Sequence, residues 1–297
     1  MAISHFDNLD ALRPVRLLNR HLRILRDFLR TDLEANLFLL SWLENHGVEP
    51  LQDGHFAFWG YFGSRGELTA TAVNISNRLL MLDALDPLSA ARFGEFFAQQ
   101  QIRFLHVVSA ARSVTPFWNA YQRASSAISA RLIQNQELFC LQPDQFIAPD
   151  LPPSQLRRAN LSEMDPLFLA SAQMHREETK EDPLGRDPDA FRRHVRYRIS
   201  HGRTFVWFDP HRRLLFKADI STRCALGAQI SGVYTSPHCR NQGIATRAMR
   251  DLSRFLFAED LPLLTLYVNE TNQHARRLYE KIGFQFHCPY QTVFVAD

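Results

Sequence analysis

A polar segment with one glycine runs directly into an amphipathic helix in the stretch CRNQGIATRAMRDLSRF, residues 239–255. From Ile244 to Phe255, apolar side chains recur at helical spacing on one face. A helix N-terminus leaves about four backbone N–H groups without partners and carries roughly half a positive charge. Because Gly243 and Ala245 are so small, an anion such as a pyrophosphate can approach these groups closely. The predicted phosphate-binding residues are Arg240, Asn241, Gln242, Gly243, Ile244, Ala245 and Thr246.

The spacing of this loop distinguishes between known types of phosphate site. A Walker loop requires a lysine after its last glycine, and a dinucleotide fingerprint requires three glycines where this loop has one. The order Arg240-x-x-Gly243-x-Ala245 instead resembles the acetyl-CoA loop of the GNAT acyltransferase superfamily. That loop consists of glutamine or arginine, two variable residues, glycine, one variable residue, and then glycine or alanine.

A second segment, LTLYVNETNQHARRLYEKIGF at residues 264–284, carries the same resemblance. It predicts an alternating strand and then a helix that Asn272 is suited to cap and Gly283 to end. The segment is similar to the family's asparagine-x-x-alanine followed by leucine-tyrosine-glutamate-lysine-x-glycine-phenylalanine. The two motifs cover about residues 228–284, and on them this part of the chain is identified as a member of the GNAT superfamily.

The resemblance implies an acetyl-CoA site around the strand that precedes the loop. In the family this strand splays from its neighbour, and the acyl-pantetheine arm inserts there and bonds to the strand's backbone. The matching backbone is that of Val233, Tyr234 and Thr235, preceded by Gly232, which suits close approach. Asn272 matches the family asparagine near the pantetheine arm, and pure helix capping is its alternative role.

Tyr279 matches the position of the family's usual general acid. The departing thiolate has a parent pKa of roughly 8.5 and tyrosine one of about 10, so the hydroxyl donates only weakly unless a hydrogen bond or the local field assists. The alternative is a tyrosine of the core on an amphipathic helix.

The general base is the less certain part of the expected site. An acceptor amine with a pKa of about 10 must lose a proton before it attacks. Some family members place a glutamate early on the strand before the loop, but Gln229 matches that position and cannot take a proton. The family builds its acceptor site near HREETKEDP, residues 175–183, so we expect Glu178 to act as the base. A water chain, or a purely solvated acidic turn, are the alternatives. The expected acceptor-binding residues are Glu177, Asp219, with which Lys217 can pair, and Gln229.

Composition limits the possible partners and compartment. The chain has 297 residues and a net charge of +3, which disfavours a nucleic-acid binder. No apolar run approaches the roughly 20 residues of a membrane span, and the N-terminus lacks a signal-peptide core. The four cysteines form no CxxC pair, so we expect a reducing, cytoplasmic setting and no metal site. A monomer is expected.

The sequence predicts two α/β domains, each with a mixed, largely antiparallel sheet flanked by helices. A proline-rich linker at 141–154 separates a domain at 1–140 from a catalytic domain at 155–297. The order of predicted elements is similar in both halves. In the N-terminal half, Asp83 and Asp86 stand where an anion would bind, so this half resembles a degenerate GNAT domain. We expect the N-terminal half either to form one side of the acceptor cleft or to make the catalytic half more rigid.

Three classes of function compete for this sequence. The first is an N-acetyltransferase that transfers acetyl from acetyl-CoA to a small-molecule or peptide amine. The second is a non-catalytic acyl-CoA-binding or sensor protein, which Gln229 favours. The third is an interaction or nucleic-acid module, which the near-neutral charge disfavours. Retention of Tyr279 favours the first class over the second.

Overall fold

The computed structural model describes residues 13–50, 55–125 and 128–296 of the chain. The strands are β1 Val15–Arg16, β2 Phe56–Phe62, β3 Leu68–Ile75, β4 Leu79–Ala84, β5 His106–Ala110, β6 Ala130–Leu141, β7 Arg157–Arg158, β8 Thr204–Phe208, β9 Leu214–Cys224, β10 Gly227–Thr235, β11 Leu264–Asn269 and β12 Gln285–Val295. The helices are α1 Leu22–Leu29, α2 Leu33–His46, α3 Pro87–Gln99, α4 Ala111–Ala124, α5 Met164–Thr179, α6 Pro183–Arg186, α7 Pro188–Ser200, α8 Ile244–Phe257 and α9 Gln273–Ile282. No helix among the described residues is both long and apolar enough to cross a bilayer.

The first compact unit contains a mixed sheet with helices packed on it. Strands β1, β2, β3 and β4 pair antiparallel in that order, β4 then pairs parallel with β5, and β12 pairs antiparallel with β5. An aromatic core lies between the sheet and the helices α3 and α4. The buried aromatic residues that the two helices contribute to it are Phe93, Phe97, Phe117, Trp118 and Tyr121.

The second compact unit repeats this pattern of pairing. Strands β7, β8, β9 and β10 pair antiparallel, and β10 then pairs parallel with β11. The helices α5 and α7 bury Leu167, Val195 and Ile199 against Val206 of β8. The two units therefore share one strand order, which is the tandem mixed α/β architecture that the sequence predicts.

Each of the two units is built from more than one stretch of the chain. The first unit contains residues 1–138, 267–271 and 286–297, and the second contains 139–266 and 272–285. This division differs from the predicted domains 1–140 and 155–297, because the last strand β12 hydrogen-bonds to β5 of the first unit. Strand pairing over such a distance in sequence leaves no local signal.

Strand β12 continues through Pro289 as a single strand, although the residue pattern on either side of the proline predicts two short strands, 284–287 and 292–295. Its ladder with β5 begins at Tyr290, so the missing N–H of the proline breaks no bond of that ladder. The apolar run 102–108 likewise predicts a strand over its whole length, but β5 begins only at His106.

The proline-rich segment 141–154 is bound to helix α8 by arginine side chains. Arg250, only 2% exposed, donates to the carbonyls of Pro149, Leu151 and Pro152. Its guanidinium also pairs with Asp251 at 2.7 Å. These bonds satisfy backbone carbonyls that lack a partner in regular secondary structure, so this part of the predicted linker is fixed to α8.

Gly283 allows this segment to pass close to the end of α9. It has φ +102° and ends the helix, as the sequence predicts, and an added Cβ would overlap the Gln145 carbonyl. We expect Gly283→Ala to lower the free energy of unfolding by about 2 kcal/mol or more, through backbone strain and the clash together.

Gly66→Ala is the matched control, since Gly66 has φ +79° and no atom near its added Cβ. Strain alone should cost it about 1 kcal/mol. Urea unfolding midpoints of both variants measure the difference, and equal losses would contradict the proposed clash.

Candidate active site

The strands β10 and β11 separate soon after their parallel pairing begins. Their register contains only the pairs Ala228–Leu264 and Gln229–Thr265. Within the described residues, the rest of β10 has β9 as its pairing partner and none on the β11 side. This is the splay that the resemblance implies, and it leaves one edge of β10 open to an extended ligand.

A bulge interrupts the pairing of β10 with β9 on its other edge. The register shifts between Ser231 and Tyr234, and Gly232 between them has φ +56°. A Cβ at Gly232 would lie 2.5 Å from a carboxylate oxygen of Asp219, so only glycine fits here. The bulge turns the backbone of Val233 out of the regular ladder.

Two buried hydroxyls lie where the splay begins. Within the described structure, Ser231 Oγ and Thr265 Oγ1 are buried without a hydrogen-bond partner. A buried hydroxyl without a partner costs free energy, so each such group calls for an explanation. Amide and carbonyl groups of an inserted ligand arm would provide the missing partners.

The N-terminus of α8 lacks a side-chain cap. Its cap residue is Gly243, with φ +73° and no side chain. The first backbone bond of the helix is from the Arg247 N–H to the Gly243 carbonyl, at 3.1 Å. Among the described residues, no acceptor bonds to the N–H groups of residues 244–246, and none lies within 4 Å of an added Cβ at Gly243. These amides are therefore available to an anion.

The side chain of Arg240 connects this loop to helix α5. Its Nε donates to the Thr235 carbonyl at 3.2 Å, and its Nη2 pairs with Glu177 at 3.1 Å. Glu177 also accepts from Gln173, which in turn accepts from the Tyr234 hydroxyl at 2.9 Å. The structure thus joins a predicted phosphate-binding residue to a predicted acceptor-binding residue. Both side chains of the ion pair are nearly half exposed, so a phosphate can compete for Arg240.

Glu178 and Tyr279 lie within electrostatic reach of each other. Burial and, second, the charge of Glu178 raise the pKa of Tyr279, which is 5% exposed. The pKa of Glu178 is also raised, chiefly by desolvation, even though the residue is exposed to solvent near the end of α5. Protein atoms thus crowd one side of the carboxylate while another side stays open to water. The predicted base and the predicted acid therefore interact electrostatically.

Comparison with known proteins identifies the domain that contains this site. Residues 175–284 match the model of the "Acetyltransferase (GNAT) family". These residues form a GNAT domain. They include both motifs and all the site residues described above except Gln173.

Solved structures extend the likeness over nearly the whole chain. A Drosophila protein is 14% identical with a TM-score of 0.62, and the match covers 95% of this chain and 98% of that one. A GCN5-related N-acetyltransferase from Sphaerobacter thermophilus is 14% identical with a TM-score of 0.59, covering 95% and 94%. A tandem GNAT protein from the clavulanic acid biosynthesis pathway is 10% identical with a TM-score of 0.59, covering 96% and 98%. At such identities the likeness concerns the fold. A search of the curated proteins found no match.

Three other predicted residues of the GNAT domain have structural partners. Asp219, 2% exposed, accepts hydrogen bonds from Lys217, Arg198 and Thr204 at 2.7 to 3.0 Å. Gln229 is also buried and accepts from the Ser221 hydroxyl. These bonds hold both side chains within the sheet, and a role in binding the acceptor remains a prediction for each.

Asn272 caps helix α9, as its alternative role requires. Its Oδ1 accepts from the Ala275 N–H at 3.1 Å. The contact that the resemblance implies with the pantetheine arm remains a prediction, and it would have to use the side-chain amide nitrogen.

Sequence reasoning underrated one part of the GNAT domain, the buried charge of Lys217. Lys217 and Asp219 are two residues apart in the strand LLFKADI and so project from the same face of β9. An oppositely charged pair in an otherwise apolar strand is the available sequence signal. The contributions of Arg198 and Thr204 depend on tertiary contacts and have no such signal.

The first unit has the topology of a GNAT domain. At the N-terminus of α3 and along β4, which correspond to the candidate ligand site of the second unit, its own side chains bond to the backbone. Asp86 caps helix α3 by accepting from the Ser89 N–H at 2.8 Å. The N–H groups of Leu82 and Ala84 on β4 bond to the hydroxyls of Ser109 and Ser113. Backbone groups that would receive a ligand are therefore satisfied internally. Buried Asp83 pairs with Arg112 at 3.0 Å and accepts from Asn36 at 2.7 Å, so its carboxylate is also engaged within the protein.

One group of possible metal ligands lies in the first unit. Single ligand atoms of Asp32, Glu34 and His287 lie within 4.8 Å of one another. The Asp32 carboxylate already pairs with Arg112 at 2.9 Å and with His287 at 2.8 Å, and it caps helix α2. These contacts account for the close approach of the three residues without a metal ion, because Asp32 is the centre of an ion-pair network.

Substitution of Gly243 tests whether the open N-terminus of α8 is a ligand site. An added Cβ meets no protein atom, so Gly243→Ala should cost only about 1 kcal/mol of stability from its positive φ. The same Cβ would obstruct a phosphate on the amides. We expect at least a tenfold loss of CoA affinity by calorimetry, equivalent to about 1.4 kcal/mol.

Gly66→Ala again provides the control, because Gly66 has a similar φ and equally open surroundings. It should leave CoA affinity unchanged. If Gly243→Ala bound CoA as tightly as the wild type, the phosphate site would not be at this helix.

Proposed function

We propose that this chain is an N-acetyltransferase that transfers an acetyl group from acetyl-CoA to a primary amine of a small molecule or peptide. The observation that carries the proposal is the combination of an uncapped helix N-terminus, an open strand edge and a carboxylate–tyrosine pair in one GNAT domain. The fold alone would not distinguish an enzyme from a binding protein.

The residues present fit acetyl-CoA as the donor. The pyrophosphate would bind the amides of residues 244–246. It would also bind Arg240, whose side chain would first break its ion pair with Glu177. The pantetheine would extend along the open edge of β10 beside Val233 and Tyr234. Its polar groups can partner the buried hydroxyls of Ser231 and Thr265.

Glu178 would accept the proton of the incoming ammonium group, directly or through a water molecule. Its raised pKa makes it a stronger base than a carboxylate with the ordinary pKa, although it remains weaker than an amine of pKa about 10. The neutral amine then forms a C–N bond with the thioester carbonyl carbon. The C–S bond breaks when the tetrahedral intermediate collapses.

Tyr279 would donate its hydroxyl proton to the departing sulfur, and the phenolate would regain a proton, directly or through water, from the attacking nitrogen as the amide forms. Its raised pKa keeps the hydroxyl protonated at neutral pH but makes the donation unfavourable on its own. Part of that shift comes from the charge of Glu178, which disappears when Glu178 accepts the proton of the amine. Deprotonation of the acceptor therefore makes Tyr279 a better acid for the later step.

A non-catalytic acyl-CoA-binding protein is the second candidate. Gln229 favours it, because this buried residue stands where some family members have a glutamate and its amide cannot take a proton. The two candidates agree on CoA binding and differ on turnover.

CoA binding and turnover can be tested in sequence. Acetyl-CoA at about 100 times its dissociation constant should stabilise the protein by about 2.7 kcal/mol, whereas NAD and ATP should not. Thiol release is then measured with a panel of amines. Release with at least one amine supports the enzyme, and stabilisation without release from a broad panel supports the binding protein. No response to CoA species would contradict both.

Two substitutions test the assigned roles. Tyr279→Phe should lower kcat about 100-fold with little change in acetyl-CoA affinity if the hydroxyl is the acid. In the wild type, kcat/KM for the acceptor should rise with pH as Glu178 loses its proton, at a higher pH than for an ordinary carboxylate.

Glu178→Gln should lower kcat. It should also remove the rise of kcat/KM at low pH (the acidic limb of the profile), so that the remaining pH dependence comes only from ionisation of the amine. Glu181→Gln is a control from the same acidic run. An unchanged limb in Glu178→Gln would assign the base elsewhere.

A further inference from the structure

A fully buried lysine is the least expected charge in the GNAT domain. Lys217 has no exposed surface, and its Nζ donates to Asp219 Oδ2 at 2.7 Å and to the Gly232 carbonyl at 3.2 Å. A buried ammonium group is costly unless it is paired and hydrogen-bonded. Here one ammonium group connects the carboxylate of its own strand to the backbone of the β10 bulge.

Asp219 is the fixed centre of this arrangement. Besides Lys217, its carboxylate accepts from Arg198 on α7 at 3.0 Å and from Thr204 on β8 at 2.8 Å. It lies against Gly232, where even one methyl group would collide with it. Side chains from α7, β8 and β9 thus hold the carboxylate in place. Lys217, which bonds both to this carboxylate and to the Gly232 carbonyl, fixes the bulge relative to it.

The same ammonium group also acts on the candidate base. Lys217 and Arg198 favour the charged form of Glu178, whereas Glu177 and the buried surroundings oppose it. The charged and titratable groups that interact with Glu178 are Lys217 on β9, Arg198 on α7, Glu177 on α5 and Tyr279 on α9. Asp219 on β9 is the ion-pair partner of Lys217.

We propose that Lys217, fixed by Asp219, is a positioning residue that holds the β10 bulge at Gly232 through its hydrogen bond to the Gly232 carbonyl. Its positive charge has a second effect, which is to favour the charged form of Glu178. That second effect rests on the proposed function, since it matters for catalysis only if Glu178 is the base.

Two substitutions separate these effects. Lys217→Met removes both the hydrogen bond and the charge, whereas Lys217→Gln removes the charge and retains a donor for the Gly232 carbonyl. Lys281→Met is the control, because it removes one positive charge from an exposed site on α9. If Lys217→Met does not fold, Lys217→Met with Asp219→Asn replaces it, since that pair leaves no unpaired buried carboxylate.

Hydrogen exchange tests the bulge without requiring any activity. Amides of residues 231–234 should exchange roughly three- to tenfold faster in Lys217→Met, as expected for one lost hydrogen bond. They should exchange at nearly the wild-type rate in Lys217→Gln and in Lys281→Met. Unchanged exchange in Lys217→Met would overturn the role in holding the bulge.

The pH profile tests the effect on Glu178. In both Lys217→Met and Lys217→Gln, the acidic limb of kcat/KM should move to higher pH by about one unit, because a favourable positive charge is lost. A purely structural role would lower stability without moving the limb, and that result would overturn the electrostatic role. An inactive wild type would instead contradict the proposed function and leave the exchange test of the bulge intact.

Discussion

The uncapped N-terminus of α8 is the feature on which the rest of the site depends. A helix normally satisfies its first amides with a side chain or with water. Here the cap residue is a glycine in the left-handed conformation, which has no side chain to offer. Among the described residues, the first amides of the helix therefore have no bonding partner, and the positive end of the helix dipole is left without a cap. The splayed strand and the carboxylate–tyrosine pair become a donor site only if a phosphate is held at this helix.

The two halves of the chain show how one topology supports opposite outcomes. In each, an antiparallel run of strands ends in a strand that pairs briefly and in parallel with its neighbour. In the first unit Asp86 caps the following helix, and serine hydroxyls bond the strand's free amides. In the second unit Gly243 leaves the helix open. Under the proposed function, these few polar side chains decide which half receives the ligand.

The parts of the site that depend on local sequence could be predicted. Gly243, Asn272 and Gly283 have the backbone roles that their types and positions indicate, and most strands and helices follow from periodicity. The Lys217–Asp219 pair has a local signal, but the other partners of Asp219 could not be derived, because Arg198 and Thr204 lie on other elements and reach it only through tertiary contacts. The place of β12 beside β5 was missed for the same reason.

A crystal structure of the protein with CoA would test the central claim most directly. We predict the pyrophosphate on the backbone amides of residues 244–246, the pantetheine along the open edge of β10, and no CoA at helix α3. A pyrophosphate bound away from the N-terminus of α8, with the amides of that helix still unoccupied, would contradict the account.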